Sequence, residues 1–149
     1  MQLEIRPYHP TDLTALYKIC LQTANSGGDA TRLFNNPDIV GHFYLAPYVQ
    51  YEPEVAFIVT NNNEPCGYIV GTKDSQLFFE KSERDWLPML RERYPLSDDS
   101  KGHVHDARII KRIHEGYIVK EELRDYPAHL HINLLPETQG QGIILCLLY

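Results

Sequence analysis

Two consecutive stretches near the end of the chain combine residue types that carry chemistry. Residues 128–135 alternate polar and apolar side chains and include His129 and His131. Gln139-Gly140-Gln141-Gly142 follows and leads into an apolar segment. A strand that runs into a glycine-containing turn and a helix start suits an anionic ligand, because free amides and the positive end of the helix dipole lie there. On this spacing alone, an ordinary strand-to-helix turn is the alternative.

The alternation in residues 128–135 divides the side chains of this strand between two faces. One face holds His129, His131 and Asn133, and the other holds Leu130, Ile132 and Leu134. Imidazole titrates near neutral pH, so His131 is a candidate general base or water-positioning group, with a hydrogen-bonded structural histidine as the alternative. The pairs His129/His131 and His103/His105 lack Cys or acidic ligands at a matching spacing, and we predict no metal.

Composition places the chain among globular proteins and narrows its partners. Its 149 residues are 43% hydrophobic and 23% charged, which indicates one domain or part of one. A net charge of −6 argues against nucleic acid and favours cationic partners such as amines. No apolar run approaches the roughly 20 residues that span a bilayer, so we expect no membrane insertion. Three scattered cysteines and an N-terminus without signal-peptide character predict a cytoplasmic protein.

The first half of the chain must supply most of the sheet that positions these residues. Leu3–Pro7 alternates like a short strand, and Thr11 and Asp12 precede a helix with an apolar stripe. We expect a second short helix over 29–34, capped by Asp29, and irregular structure with one helical turn over the aromatic-rich residues 41–53. Residues 55–59 and 67–72 are β-rich and flank an Asn-rich turn, which predicts an antiparallel hairpin.

The second half of the chain is mainly helical before the final strand. Residues 75–93 have a helical pattern with a break expected near Pro88. A polar linker follows at 97–101, and residues 106–125 predict helical pieces interrupted at Gly116. We interpret the charge run from Lys111 to Arg124 as a solvated helix face.

This order of elements, together with the glycine-containing turn, resembles the GNAT superfamily of N-acetyltransferases. That family's coenzyme signature is Gln or Arg, two residues, Gly, one residue, then Gly or Ala. Residues 139–143 fit its first five positions, whereas Ile144 stands where Gly or Ala is expected. The segment 66–71 is similar to the family's third strand. Segments 28–31, 41–44, 46–48, 86–88 and 126–131 resemble a bacterial subgroup similar to the acetyltransferase-like domain of O-GlcNAc hydrolases, whose glycoside hydrolysis resides in another domain.

The resemblance implies an α/β (α+β) fold with a mixed, mostly antiparallel sheet flanked by helices. It covers residues 1–149 as a single GNAT-like domain. The family's fifth strand, last helix and usual general-acid tyrosine would lie beyond the signature. We therefore expect a fold truncated after the fourth strand and the pyrophosphate loop, through a truncation or a shifted reading frame just after Gly142.

The resemblance also implies roles for individual residues. Backbone groups of Leu134 and Leu135 would pair with the pantetheine arm of acetyl-CoA. Its pyrophosphate would be held by amides of the loop, with the Gln139 side chain beside them: Gly140, Gln141, Gly142, Ile143 and Ile144. Asp29 would face the acceptor, with a helix N-cap as the simpler alternative. Tyr44, Tyr48 and Tyr51 would line an acceptor pocket, with core packing as the alternative.

Two functions follow from these observations. The first is an acetyl-CoA-dependent N-acetyltransferase for a small-molecule or peptidic amine, with His131 and Asp29 as catalytic residues. The second is a truncated, inactive GNAT-like fragment that binds a partner or itself. The last strand would be an exposed edge and the tail 143–149 strongly apolar, so we also predict a homodimer or other self-association through them.

Overall fold

A four-stranded antiparallel sheet forms the centre of the protein. The structure is a computed structural model that describes residues 1–96 and 103–148. The strands lie in the order β1-β2-β3-β4. Their bounds are Leu3–Pro7 for β1, Phe57–Asn61 for β2, Glu64–Thr72 for β3 and His129–Leu134 for β4. The predicted α/β class with a mostly antiparallel sheet is confirmed.

Among residues 1–96 and 103–148, six helices cover one face of this sheet, which we call the inner face, and a short seventh covers part of the outer face. They are α1 Leu13–Gln22, α2 Ile39–Tyr44, α3 Ala46–Tyr51, α4 Ser75–Asp85, α5 Leu87–Arg93, α6 Val104–Glu115 and α7 Ile143–Leu148. The predicted break near Pro88 lies at Trp86, between α4 and α5, and α6 ends before Gly116 as predicted. The predicted linker at 97–101 lies outside the described residues.

The hairpin of β2 and β3 is confirmed. Asn62 and Asn63 both have positive φ, at 50° and 70°, which suits a tight turn that matches the strand twist. Val59 pairs with Gly67, and a register shift follows between Val59 and Thr60. β4 continues the sheet by pairing with β3, so that His131 lies opposite Val70.

Two local predictions are wrong. Residues 29–34 form a turn and not a helix, because the Asp29 carboxylate accepts hydrogen bonds from both the amide and the hydroxyl of Thr31. Residues 41–53 contain the end of α2, all of α3 and the first residue of the 3₁₀ turn Pro53–Val55 instead of mostly irregular chain. Packing explains these helices, since Phe43 and Tyr48 are buried in the inner core.

The outer face of the sheet has a smaller core. Ile143 at the start of α7 is buried against Val59, Cys66 and Leu134. Three apolar side chains elsewhere on the sheet and three on the tail remain exposed: Ile5, Phe57, Leu130, Ile144, Leu145 and Leu148. The tail therefore packs on its own sheet through one side only.

The contact of β3 with β4 requires a glycine at position 71. A Cβ there would lie 2.5 Å from the backbone oxygen of His129, which cannot rotate away. We expect Gly71→Ala to push β4 outward and to lower the free energy of unfolding by about 1–3 kcal/mol. Urea unfolding measures this change. Lys73→Ala, at an exposed position just beyond the strand, is the control, and equal stability of the two variants would refute the assignment.

Candidate functional site

A cavity of about 420 Å³ lies between the inner face of β3 and β4 and the helices α1, α2 and α6. Its wall combines aromatic, cationic and amide side chains. The lining residues include Cys20, Asn25, Tyr44, Tyr68, His105, Arg108, Arg112, His131 and Asn133. The cavity is large enough for a small acceptor molecule or one end of a peptide.

β4 brings His131 to this cavity because its polar face turns inward. The Asn133 amide donates to the Thr23 hydroxyl over 2.7 Å, and that hydroxyl donates to the Ile19 carbonyl at the end of α1. Leu134, on the other face, is buried in the outer core. The structure thus has the division of β4 that the alternation predicts.

Behind His131, a continuous series of hydrogen bonds leads away from the cavity. The Tyr48 hydroxyl lies 3.2 Å from Nε2 of His131 and 2.7 Å from Nε2 of His129. On the far side of His129, Nδ1 lies 2.5 Å from the Ser75 hydroxyl, which is 2.8 Å from the Pro127 carbonyl. Tyr48 is held in place by stacking on Phe78, with ring centroids 4.3 Å apart.

Burial keeps these groups neutral near pH 7. It lowers the pKa of His131 to about 4, with the neighbouring His129 adding to the effect. It also lowers the pKa of His129, against a smaller opposing effect of Glu52. Burial raises the pKa of Tyr48, and it raises that of the Cys20 thiol to about 11. The cavity therefore holds a neutral imidazole, and its thiol is not an activated nucleophile.

The glycine-containing loop lies at the end of β4. Gly140 and Gly142 have φ of 75° and 74°, a region that glycine enters without strain. A Cβ at either position would meet no atom within 4 Å, so open space surrounds both. α7 starts directly afterwards at Ile143. The loop thus exposes glycine backbone and the first amides of a helix together.

The Gln139 side chain ties this loop to the cavity wall. Its amide donates to the Leu134 carbonyl over 2.9 Å and to the Gly27 carbonyl over 3.1 Å. The turn that contains Gly27 also contributes Asn25 to the cavity. The Leu135 amide donates to the Cys66 carbonyl, and alternation of the ladder then directs the Leu134 backbone to the free edge of the sheet.

The structure brings some predicted site residues together and separates others. His131 and Tyr44 both line the cavity, and Tyr48 lies behind His131. Asp29 is exposed and does not line the cavity. Tyr51 lies against Trp86, with ring centroids 6.4 Å apart. The Ile144 side chain of α7 is 49% exposed.

The sequence interpretation missed a cationic side of the cavity. His105, Arg108 and Arg112 lie three and four residues apart and share one face of α6. Arg112 donates a hydrogen bond to the Tyr44 hydroxyl. The prediction of a solvated helix face therefore holds for Lys111, which pairs with Glu115 on the outside, but not for Arg112, which borders the cavity. The spacing of three and four residues between these positions was the signal in the sequence that could have placed them on one helix face.

Among residues 1–96 and 103–148, no three His, Cys, Asp or Glu side chains come together as ligands for a metal ion. None of the helices in those ranges is long and apolar enough to cross a membrane.

Comparison with known proteins identifies the family. No protein-family profile matches the sequence. The crystal structure of SsHAT superposes with a TM-score of 0.85 at 33% identity, covering 99% of this chain and 73% of that chain. The chain belongs to the GNAT-like family of SsHAT. This GNAT-like domain is also 26% identical over 150 residues to protein O-GlcNAcase of Rattus norvegicus and of Mus musculus. The alignment covers 97% of this chain, and the chain spans only 16% of the length of each of those two relatives.

The depressed pKa of His131 makes stability depend on pH. The unfolded chain binds this proton more readily than the GNAT-like fold does, so the stability contributed by neutral His131 is full above its ordinary pKa of 6.5 and is lost as the pH falls toward 4. Between about pH 7 and about pH 4.5, we expect wild type to lose roughly 2 kcal/mol more than His131→Asn. Urea unfolding at both pH values measures the difference.

The control for this prediction is His103→Asn, at an exposed position. Carboxylates titrate in all three proteins and cancel in the comparison. Equal losses in wild type and His131→Asn would contradict the predicted shift.

Proposed function

We propose that this GNAT-like domain is an acetyltransferase that moves an acetyl group from acetyl-CoA to an amine. The observation that carries the proposal is the double hydrogen bond of Gln139, which holds the open loop beside the cavity that contains His131. β4 thereby brings an anion-type loop and a titratable group in the cavity close to each other. The match to SsHAT supports an acetyltransferase.

The loop fits the phosphate groups of acetyl-CoA. Gly140 and Gly142 leave the space around the backbone open, so an anion can approach the amides closely. Those amides belong to Gly140, Gln141, Gly142, Ile143 and Ile144. The outward amide of Leu134 suits the pantetheine arm, whereas the Leu134 carbonyl already accepts from the Gln139 side chain and the Leu135 amide already donates to the Cys66 carbonyl. Leu134 and Leu135 stay predicted contacts.

The reaction requires the amine to lose a proton. The ammonium first loses one proton, and the neutral amine then attacks the thioester carbonyl of acetyl-CoA. The C–N bond forms as the C–S bond breaks, and a second proton from the nitrogen ends on the CoA sulfur. His131 is neutral at the cavity wall and accepts the proton of the attacking amine. Tyr44 borders the same space, and Tyr48 fixes the imidazole ring. The catalytic role of Asp29 stays a prediction.

The acceptor carries a negative group as well as an amine. Arg108 and Arg112 border the cavity, and within residues 1–96 and 103–148 no acidic side chain lines it. The whole chain has a charge of −6, so this cationic wall is a local feature. We infer a small-molecule or peptidic amine that bears a carboxylate, which arginine binds in a bidentate manner. An amine that bears a carboxylate differs from the purely cationic partner that the chain's net charge of −6 favours.

A homodimer through the edge of β4 and the tail also stays a prediction. The exposed side chains Phe57, Leu130 and Leu145 support it. The three cysteines are unpaired thiols, which supports the predicted cytoplasmic location.

A charge placed at Gly140 tests the coenzyme site. Asp and Asn have nearly the same size and both tolerate positive φ, and open space surrounds this position. We expect Gly140→Asp to raise the Kd for acetyl-CoA at least about tenfold through repulsion of the phosphates, and Gly140→Asn to bind within about threefold of wild type. Calorimetric titration measures both. A wild type that binds no acetyl-CoA and releases no CoA thiol with any amine would overturn the proposal and favour the inactive binding module.

A second variant tests the acceptor class. We expect Arg112→Gln to raise KM about tenfold for amines that carry a carboxylate and to leave KM for neutral amines unchanged, because one charge-assisted hydrogen bond is lost. Thiol release measured over a panel of neutral, cationic and carboxylate-bearing amines reports both values. Lys111→Gln removes the adjacent charge, which faces solvent, and is the control. An equal rise of KM for all amines would contradict recognition of the carboxylate.

A further inference from the structure

We propose that His131, Tyr48, His129 and Ser75 form a proton relay, which carries the proton of the acceptor amine from the cavity to a separate surface cleft. The relay rests on the proposed function, because it needs a reaction that releases a proton beside His131. Its four members come from β4, α3 and α4, so only the folded chain assembles it.

The cavity end of the relay is a ring nitrogen of His131. Its Nε2 lies 3.2 Å from the Tyr48 hydroxyl. Within residues 1–96 and 103–148, no hydrogen bond engages Nδ1, and the side chain is only partly buried. Nδ1 is therefore the ring nitrogen left free to accept the proton of an amine in the cavity.

The other end of the relay is the Ser75 hydroxyl. Ser75 and His129 both line a second cleft of about 350 Å³, together with Tyr126, Pro127 and Ala128. This cleft shares no residue with the wall of the first cavity. Ser75 is partly exposed, so water in the second cleft reaches its oxygen. The relay thus joins two separate spaces through the inner core.

The hydrogen bonds of the relay can run in either of two directions, and each direction gives every hydrogen atom one acceptor. In the first, His131 Nε2–H donates to Tyr48, the Tyr48 hydroxyl donates to His129 Nε2, His129 Nδ1–H donates to Ser75, and the Ser75 hydroxyl donates to the Pro127 carbonyl. In the second, every donor and acceptor between Ser75 and His131 is exchanged. The Ser75 amide also donates to the Pro127 carbonyl, which keeps a partner in both.

Transfer of one proton converts the first arrangement into the second. His131 Nδ1 takes the amine proton, and its Nε2 proton moves to Tyr48. The Tyr48 proton moves to His129 Nε2, the His129 Nδ1 proton moves to Ser75, and the original Ser75 proton leaves to water. One proton enters, one leaves, and every relay residue ends neutral.

The electrostatics of the relay favour this concerted shift. Burial lowers the pKa of His131 to about 4, so an imidazolium at that position gives up its proton readily. Burial raises the pKa of Tyr48, so a tyrosinate does not accumulate. Glu52, Tyr44 and Tyr117 also interact electrostatically with members of the relay. Glu52 raises the pKa of His129 and thereby favours passage of the proton toward Ser75.

Kinetics of the full chain test the relay. We expect Ser75→Ala and Tyr48→Phe to lower kcat roughly tenfold at neutral pH with KM within about twofold, and the rate to become dependent on buffer concentration because buffer then carries the proton. Ser75→Thr keeps the hydroxyl and should restore kcat and independence of buffer. Ser82→Ala, which removes another buried hydroxyl outside the relay, is the control and should match wild type. A purely structural role would change stability without creating buffer dependence.

Nitrogen-15 NMR of the free protein tests the same hydrogen bonds without any turnover. We expect Ser75→Ala to shift the ring nitrogens of His131, which Ser75 does not touch, and to lose this effect in the Tyr48→Phe background. Unshifted His131 nitrogens together with wild-type kcat in Ser75→Ala would overturn the relay while the proposed function stands. A wild type without turnover would overturn the proposed function itself, and the relay with it.

Discussion

The structure depends on one constraint: β4 turns a polar face toward the helices. His129, His131 and Asn133 all point into the inner layer, where unpaired polar groups would destabilise the fold. Their partners Tyr48, Ser75 and Thr23 come from α3, α4 and the end of α1. The hydrogen bonds that these β4 side chains require therefore set where three helices lie. The cavity remains beside His131.

The two faces of β4 divide structure from chemistry. Leu134 on the outer face packs with Ile143 and Val59, which seats α7 and fixes the loop that precedes it. The inner face carries the titratable groups. Only one short 3₁₀ turn, Pro136–Thr138, separates β4 from the loop, and the Gln139 side chain bonds both Leu134 and the Gly27 turn. The anion-type loop and the cavity therefore keep a fixed relation.

Local electrostatics differ from those of the whole chain. The protein has a net charge of −6, yet Arg108 and Arg112 give the cavity a cationic wall. Next to that wall, burial keeps His131 neutral. A neutral imidazole tolerates the nearby arginines without repulsion, and the arginines are suited to an anionic group of the ligand. Net charge describes the average surface, whereas a site responds to the few charges at its wall.

The amino-acid sequence by itself determined the features that arise from neighbours along the chain. The hairpin follows from β-rich segments around Asn62 and Asn63, and the two faces of β4 follow from strict alternation. Residues 29–34 and 41–53 were mispredicted because a side-chain bond of Asp29 and the burial of Phe43 and Tyr48 outweighed local pattern. Only the tertiary structure decided that Tyr48 bridges two histidines about 80 residues away and that Arg112 reaches Tyr44. Such contacts join positions far apart in sequence, so no periodicity encodes them, and they form only when packing brings the elements together.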